Sequence, residues 1–358
     1  MYVAWRDLRF ARGRFVLMTA VVALITLLVG FLAGLAGGLA SQNVSAVLAL
    51  PGDRLVLQQP ASGSPSFSES SLPASTTAAW RHADGVTSVV PVGIVQGRVA
   101  SGERPVAVAL VGLPHTDGAT SIGSLAPKSG DGIGLSSAAA DQLGARPGSQ
   151  VMVAGRSFTV GTVGHDLWYS HLPVVVLSPE AWSSVDLSLG GSGDATVLAV
   201  SGHPDWSAVE AQTQTSASGH LASLTALPTF TSEIGSLGLM IGMLFVVSAL
   251  VVGAFFTVWS MQRTGDVAVL KALGATTSSL VRDALGQAAV VLVVGIGVGL
   301  AAVVGLALIA PSGLPFVLDP LTTLLPGAAL ALLGLAGAAV ALRSVTHADP
   351  LTALGSNR

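Results

Sequence analysis

Cysteine is absent from the chain, and charged side chains and tyrosine are scarce. Without cysteine the protein has no disulfide framework, no thiol nucleophile and no cysteine-ligated zinc or iron–sulfur site. Charged residues make up 10% of the 358 residues, whereas soluble proteins carry about 25%. The formal charge of −3 argues against a nucleic-acid-binding protein, which would show a basic surface. Hydrophobic residues instead make up 51%, and this balance predicts a membrane protein.

Four apolar stretches are long enough to cross about 30 Å of hydrocarbon, which takes about 20 helical residues. They predict transmembrane helices at residues 15–40, 236–260, 285–310 and 321–342. None of the four contains Lys, Arg, Asp or Glu. The first has the basic flank of a secretory signal, but its apolar run exceeds the usual length of about 7–15 residues and three more spans follow. We therefore interpret it as a retained helix.

The distribution of Lys and Arg predicts the orientation in the cell membrane. Nine of the 16 lie near the two termini and in the segment after the second span, and the other seven are spread over the long segment between the first two spans. Both termini are therefore predicted to be cytoplasmic, including a tail at 343–358, with residues 41–235 outside. Residues 1–14 interleave Arg with Trp and Phe, which fits an amphipathic interfacial helix or a plain positive-inside flank.

Residues 41–235 have the short β-prone runs and the Gly, Pro and Ser breaks of a mixed α/β domain. The predicted strands are 89–99, 105–113, 150–153, 157–163 and 172–177, of which the first four form two hairpins. A short helix is predicted up to Leu143, capped by Ser136 or Ser137, and another over residues 179–185. Residues 62–71, rich in Ser and Pro, predict a mobile loop.

One segment of this domain concentrates possible ligand-binding side chains, His165-Asp166-Leu167-Trp168-Tyr169-Ser170-His171. One interpretation is a loop that contacts an aromatic or metal-bearing ligand, with Tyr169 or His171 as axial ligand. The other is an aromatic turn that fixes the domain to the outer leaflet. The sequence shows no Ser-His-Asp arrangement, no His-x-x-x-His pair and no paired carboxylates on a helix, so it predicts neither hydrolysis nor an intrinsic metal centre.

Residues 261–284 form the predicted cytoplasmic loop. Gly274 suits the end of a first helix, and Thr276 to Ser278 can cap a second helix that leads into the third span. The run from Arg263 to Ala275, with its Leu-Lys-Ala-Leu-Gly-Ala sequence, resembles the signature of MacB/FtsX-type ABC transporter permeases. Asp266 stands where Glu is commoner in that signature. Residues 348–354 are similar to the family's C-terminal motif, and residues 135–163 resemble its extracytoplasmic core.

The resemblance implies four transmembrane helices with a mixed α/β extracytoplasmic domain inserted between helices 1 and 2. It also implies a homodimer bound to two copies of a separate ABC ATPase, which holds ATP and Mg²⁺. Neither Lys of this chain stands in the Gly-Lys-Ser/Thr setting of a phosphate loop, so the chain itself is not predicted to be an enzyme. The implied ATPase-coupling residues are Arg263, Asp266, Leu270, Lys271, Leu273 and Gly274. The implied dimer-packing residues, small enough for close helix approach, are Gly30, Gly34, Gly38, Gly238 and Gly242.

Residues 9–15, 169–175 and 248–259 look like the haem-efflux permeases of the HrtB type. This likeness implies that the transporter expels haem taken from membrane lipid, with no permanently bound cofactor. The candidate haem-binding residues are Glu233, Tyr169, His171, Gln42 and Asn43. The same Glu233 also fits an ordinary acid at a helix start. Two alternatives remain open, an FtsX-like mechanotransmission permease that regulates a cell-wall hydrolase and an antimicrobial-peptide efflux permease.

Overall fold

The computed structural model describes residues 12–115, 121–262, 274–309 and 314–346. The helices, in chain order, are α1 (Arg12–Leu48), α2 (Ala74–His82), α3 (Ser137–Leu143), α4 (Pro179–Ser188), α5 (Trp206–Thr213), α6 (His220–Ser223), α7 (Pro228–Gln262), α8 (Thr277–Ile309) and α9 (Pro320–Thr346). The strands are β1 (Arg54–Gln58), β2 (Val86–Ser101), β3 (Arg104–Gly112), β4 (Gly132–Ser136), β5 (Gln150–Val153), β6 (Arg156–Gly164), β7 (Trp168–Tyr169), β8 (Leu172–Leu177), β9 (Val197–Gly202) and β10 (Thr215–Ser218).

The described residues divide into two compact units. Residues 39–234 form one, called the inserted domain below, and the residues on either side form the membrane unit. The inserted domain mixes helices and strands, and it lies in the chain between the first long apolar helix and the other three. The predicted fold class is therefore confirmed.

All four predicted spans are helical, and the helices are longer than the spans. Apolar helical stretches able to cross a membrane occur at Phe15–Leu48, Pro228–Phe255, Thr277–Ile309 and Thr322–Val340. Helix α1 continues past residue 40 and α7 begins before residue 236, because polar residues end a hydropathy run without ending a helix. The predicted interfacial helix at residues 1–14 and the tail at 343–358 lie largely outside the described residues.

Helices α1 and α8 approach closely because glycines of α8 leave room for side chains of α1. A Cβ built on Gly295 would lie 2.7 Å from Val22 Cβ, and one on Gly299 would lie 2.5 Å from Thr26 Cβ. The Thr26 hydroxyl, which is buried, donates to the Val22 carbonyl at 2.8 Å and so does not remain unpaired in an apolar setting. Helix α8 also packs along α9.

The outer surface of the membrane unit is strongly apolar. On α7 the side chains of Leu239, Met243 and Leu250 are 68%, 61% and 71% exposed. A continuous apolar surface of this kind suits hydrocarbon or another apolar helix rather than water.

The strands of the inserted domain form one curled sheet, with the order β10-β1-β9-β2-β3-β8-β4-β6-β5. Strand β7 pairs with β8 outside this order, and β5 returns to pair with β2 at Val99 and Ala100. Pairs β3–β8 and β4–β6 are parallel, and the remaining pairs are antiparallel. Because β2 is long enough to pair with β9 at one end and β5 at the other, the strands from β2 through β3, β8, β4 and β6 to β5 close on themselves.

The local structure confirms the predicted hairpins and helix ends. Gly102, with φ of 61°, lies in the turn between β2 and β3, and Gly155, with φ of 79°, lies in the turn between β5 and β6. The Ser136 hydroxyl caps α3 by accepting from the Ala139 amide at 3.3 Å, and Gly144 ends that helix in the left-handed region.

The predicted loop at 62–71 contains no helix or strand, but one residue anchors it. Phe67 is buried in the core, and its amide donates to the Ala226 carbonyl at 3.1 Å. The Phe67 ring lies edge-on to Tyr169, with 6.3 Å between the ring centroids. The loop is therefore held against the domain at its centre.

Candidate functional site

A tight hairpin displays His171 at the end of α1. Strands β7 and β8 pair through Tyr169 and Leu172, which leaves Ser170 and His171 as a two-residue turn. Their φ angles are 48° and 63°, as a type I′ turn requires, although Asn-Gly is the usual sequence there. Holding two residues with side chains in this region costs about 1 kcal/mol each, so the surrounding contacts must offset that strain.

Helix α1 supplies those contacts through its polar end. The amide of Ser170 donates to the Asn43 carbonyl at 3.0 Å, and the amide of His171 donates to the Gln42 carbonyl at 2.9 Å. The Ser45 hydroxyl accepts from the Trp168 amide at 2.8 Å and donates to the Trp168 carbonyl at 3.3 Å. The hairpin is therefore fixed to α1 through its turn and through β7.

The side chains around this turn form what we call the polar cluster, Asn43, Ser170, His171, Thr229 and Glu233. The carboxylate of Glu233 lies 2.7 Å from His171 Nε2 and accepts from Asn43 Nδ2 at 3.2 Å. The Thr229 hydroxyl donates to Asn43 Oδ1 at 3.0 Å and lies 3.3 Å from the Ser170 hydroxyl. The inserted domain therefore joins α1, the hairpin and the start of α7 through one hydrogen-bonded network.

Burial differs sharply within the polar cluster. Asn43 is completely buried, whereas the side chains of His171 and Glu233 remain 31% and 34% exposed. In the neutral tautomer that carries its proton on Nε2, the imidazole donates to Glu233 and keeps the lone pair of Nδ1 for an acceptor or ligand role. The buried amide thus positions an imidazole and a carboxylate that a ligand can reach.

The structure brings together three of the five predicted haem-binding residues, His171, Glu233 and Asn43. Gln42 contributes its backbone carbonyl and keeps a half-buried side chain. The sequence analysis did not predict that Ser170 contacts these side chains, and it did not identify Thr229 as part of the site. A hydroxyl one residue after Pro228, at the start of a long apolar helix, was the available signal for Thr229.

The structure contradicts the prediction that Tyr169 is a haem ligand. Its side chain is 5% exposed and packs into the core against Phe67. Successive residues of a strand point to opposite sides, so β7 directs Tyr169 inward. Burial raises the pKa of the Tyr169 phenol well above its usual value, which keeps the phenolate that would bind iron from forming.

This burial predicts the behaviour of Tyr169 in alkali. Because the unfolded phenol ionises near pH 10 and the folded one does not, folding stability should fall as the pH rises above about 10. We expect the tyrosinate absorbance at about pH 11 to be the same in the folded protein and in the Tyr169→Phe variant. Ionisation of Tyr169 in the folded protein at that pH would contradict its placement in the core.

The glycines predicted on α1, Gly30, Gly34 and Gly38, face other residues of the same chain. A Cβ on Gly34 would lie 2.4 Å from Phe316 Cζ, and one on Gly38 would lie 2.1 Å from the Pro315 carbonyl oxygen. A Cβ on Gly30 would lie 3.0 Å from Val303 Cγ2. These glycines allow close packing within one chain, and their role between two copies stays a prediction. Small residues permit close approach but do not specify the partner.

The other two predicted packing glycines behave differently. At Gly238 and Gly242 of α7, a Cβ would meet no atom of the described residues within 4 Å. Their role in a dimer stays a prediction.

Most of the predicted ATPase-coupling residues, Arg263, Asp266, Leu270, Lys271 and Leu273, lie outside the described residues. Gly274 is described and has φ of 94°, the conformation of a residue that ends a helix. The Thr276 hydroxyl accepts from the Ser279 amide at 3.3 Å, which confirms it as the cap of α8.

Within 12–115, 121–262, 274–309 and 314–346, no three His, Asp or Glu side chains come close enough to hold a metal ion. The polar cluster contributes one imidazole and one carboxylate.

Comparisons with known proteins agree with this architecture. Residues 238–350 match the family model of the FtsX-like permease C-terminal domain. The chain is 24% identical over 373 residues, covering all of both chains, to a protein of Staphylococcus epidermidis that is named as a hemin transport system permease, HrtB. It is 27% identical, over 99% of both chains, to an uncharacterised ABC transporter permease of Mycobacterium tuberculosis.

Among solved structures, the periplasmic region of MacB from Actinobacillus actinomycetemcomitans is similar to 49% of this chain and 92% of its own, with 13% identity and a TM-score of 0.35. The extracellular domain of the Gram-positive transporter YknZ covers 45% of this chain and 87% of its own, with 16% identity and a TM-score of 0.31.

The described residues include four apolar helices long enough to cross a membrane, with a folded domain between the first and the second. Residues 238–350 match the FtsX-like permease C-terminal domain, and over almost its full length the chain is similar to ABC transporter permeases.

Proposed function

We propose that this chain is the permease subunit of an efflux transporter that expels haem from the membrane. A separate ABC ATPase supplies the energy. The observation that carries the proposal is the partly open pair of His171 and Glu233, held by buried Asn43. The names of the full-length relatives from Staphylococcus support haem as the cargo.

The chemistry of the pair suits a transient haem ligand. Imidazole nitrogen is a common axial ligand of haem iron. Ferric iron also accepts oxygen donors, such as a carboxylate oxygen. In the absence of cargo the two side chains satisfy each other at 2.7 Å, so neither is left unpaired. The lone pair of His171 Nδ1 and a carboxylate oxygen of Glu233 are the donors that haem iron would take, while the hydrogen bond between the two side chains holds them in place.

We also propose the assembly that the family implies. Both termini face the cytoplasm, the inserted domain lies outside, and two copies of the chain work with two ATPase subunits. The bare face of α7, with Gly238 and Gly242, supports α7 as the surface where two copies meet, because close helix approach needs such small residues. The segment from Arg263 to Gly274 would receive the motion of the ATPase.

The test is a haemin titration of the purified permease in detergent, followed by absorbance in the Soret region. We expect a saturable spectral change, weakened at least about tenfold in the His171→Ala and Glu233→Gln variants because each removes one iron ligand. The matched control is Tyr169→Phe, which changes a buried aromatic of the same hairpin and should bind haemin as the unchanged protein does.

Two results would overturn the haem proposal. One is the absence of a saturable change in the unchanged protein. The other is normal binding in the double variant His171→Ala with Glu233→Gln, which would place haem elsewhere on the chain.

A further inference from the structure

Strand β2 changes partners along one edge and leaves a gap there. It pairs with β9 as far as Val92 and with β5 from Val99 onward. On its other edge it pairs with β3 without interruption from Gly93 to Ser101. Residues 93–98 therefore have one edge covered by β3 and one edge open between β9 and β5.

The β2–β3 turn determines which backbone groups face this gap. Ser101 and Arg104 flank a two-residue turn and form a hydrogen-bonded pair, so the odd-numbered residues of β2 bond to β3. The even-numbered residues direct their N–H and C=O groups into the gap. Ile94 follows this rule, because its amide donates to Thr196 Oγ1 at 2.8 Å and its carbonyl accepts from that hydroxyl at 3.1 Å.

The next residue that faces the gap is Gln96, and it is exposed. Within the part of the chain that the structure describes, no hydrogen bond satisfies its backbone N–H or C=O. An N–H and a C=O pointing the same way from a strand are the groups that an added strand would pair with.

Gln96 lies in the wall of a cleft of about 440 Å³, within the usual range of ligand pockets. The cleft contains three carboxylates, those of Glu69, Asp186 and Asp194, and no Lys, Arg or His is among its described lining residues. Hydroxyl side chains of Ser and Thr and several apolar side chains, including Trp182, complete the lining.

Two of the carboxylates are held in place. The backbone amide of Gly193 donates to Asp186 Oδ2 at 2.8 Å, and the Ser71 hydroxyl donates to Asp194 Oδ2 at 3.2 Å. Neither contact neutralises the charge, so the cleft presents fixed negative groups beside an open strand edge. A cationic group would complement it.

We propose that this cleft binds an extended peptide segment of a partner protein that carries Lys or Arg. The backbone of the segment pairs with the N–H and C=O of Gln96 as a short added strand. Its cationic side chain lies among Glu69, Asp186 and Asp194. Main-chain hydrogen bonds supply affinity in this mode of recognition, and the side-chain contacts supply specificity. The site is separate from the polar cluster and does not depend on the cargo.

The test uses a short blocked peptide of alternating Val and Lys, added to the full-length permease in detergent. Binding is measured by fluorescence anisotropy of the labelled peptide and by amide hydrogen exchange of residues 93–101. Gln96→Pro removes the free N–H without removing a bond to β3, and we expect it to weaken binding about tenfold. Gln96→Ala is the matched control, because it keeps the backbone groups and should bind normally.

A second comparison leaves the protein unchanged and so holds even if Gln96→Pro fails to fold. The same peptide, N-methylated at alternate residues, should bind about tenfold more weakly because it cannot form the added strand. Equal binding of the N-methylated peptide would show that charge alone recruits the ligand and would overturn strand addition. Equal binding of a peptide of alternating Val and Glu, or no binding of any peptide, would overturn the proposal altogether.

Discussion

The Asn43→Asp variant is expected to lose about 2–3 kcal/mol of folding free energy in the inserted domain. Asn43 is fully buried, and its Nδ2 donates to Glu233 Oε2 at 3.2 Å. The substitution hardly changes the shape of the side chain but puts a second carboxylate oxygen where the donor was. Two carboxylates would then face each other at hydrogen-bond distance, one of them without access to water.

Thermal unfolding of the purified chain, followed by tryptophan fluorescence, measures this loss. The control is Gln42→Glu, which makes the same change of charge one residue away on a half-buried side chain. It should stay within about 0.5 kcal/mol of the unchanged protein. Equal stability of the two variants would mean that Asn43 does not hold the polar cluster together.

The Gly38→Ala variant is expected to destabilise the membrane unit by about 3 kcal/mol. Its Cβ would lie 2.1 Å from the carbonyl oxygen and 2.3 Å from the carbonyl carbon of Pro315. These are backbone atoms, so relief requires the segment after α8 to move rather than a side chain to rotate. Loss of helical protection in α1, measured by hydrogen exchange in detergent, would report the change.

The control for this variant is Gly297→Ala, which makes the same substitution at an exposed position of another long apolar helix, α8. A Cβ there meets nothing within 4 Å, and Ala is a better helix former by about 1 kcal/mol, so its stability should be unchanged or slightly higher. The pair also separates two roles of small residues. If Gly38→Ala dissociated a dimer and left the fold of each chain intact, the packing of Gly38 within one chain would be refuted.

Much of the fold could be predicted because its signals are local. Hydropathy identifies the four spans, Gly and Pro mark the hairpins, and Ser136 marks a helix start through a hydrogen bond to a residue three positions away. The ends of α1 and α7 could not be predicted in the same way. Polar residues interrupt the hydropathy there, at residues 41–43 of α1 and 229–233 of α7, and these turns make contacts inside the inserted domain.

The site could be predicted only as separate residues. The sequence shows that Glu233 and His171 can bind a ligand or accept a hydrogen bond. It does not show that they contact each other, because they are far apart in the chain and their contact depends on the turn at Ser170. The prediction that Tyr169 binds haem was wrong because the sequence does not show which side of a two-residue strand this side chain faces. The neighbours of Gly34 and Gly38 within the chain could not be predicted either, because they belong to the segment after α8, far away in the sequence.

The most direct test of haem export by this permease is haem tolerance of its host. Deletion of the gene should lower tolerance to added haemin and raise cell-associated haem. The unchanged gene should restore both, and a double variant, His171→Ala with Glu233→Gln, should not, although it reaches the membrane at the same level. Unchanged tolerance after deletion, or full restoration by the double variant, would contradict haem export through the polar cluster.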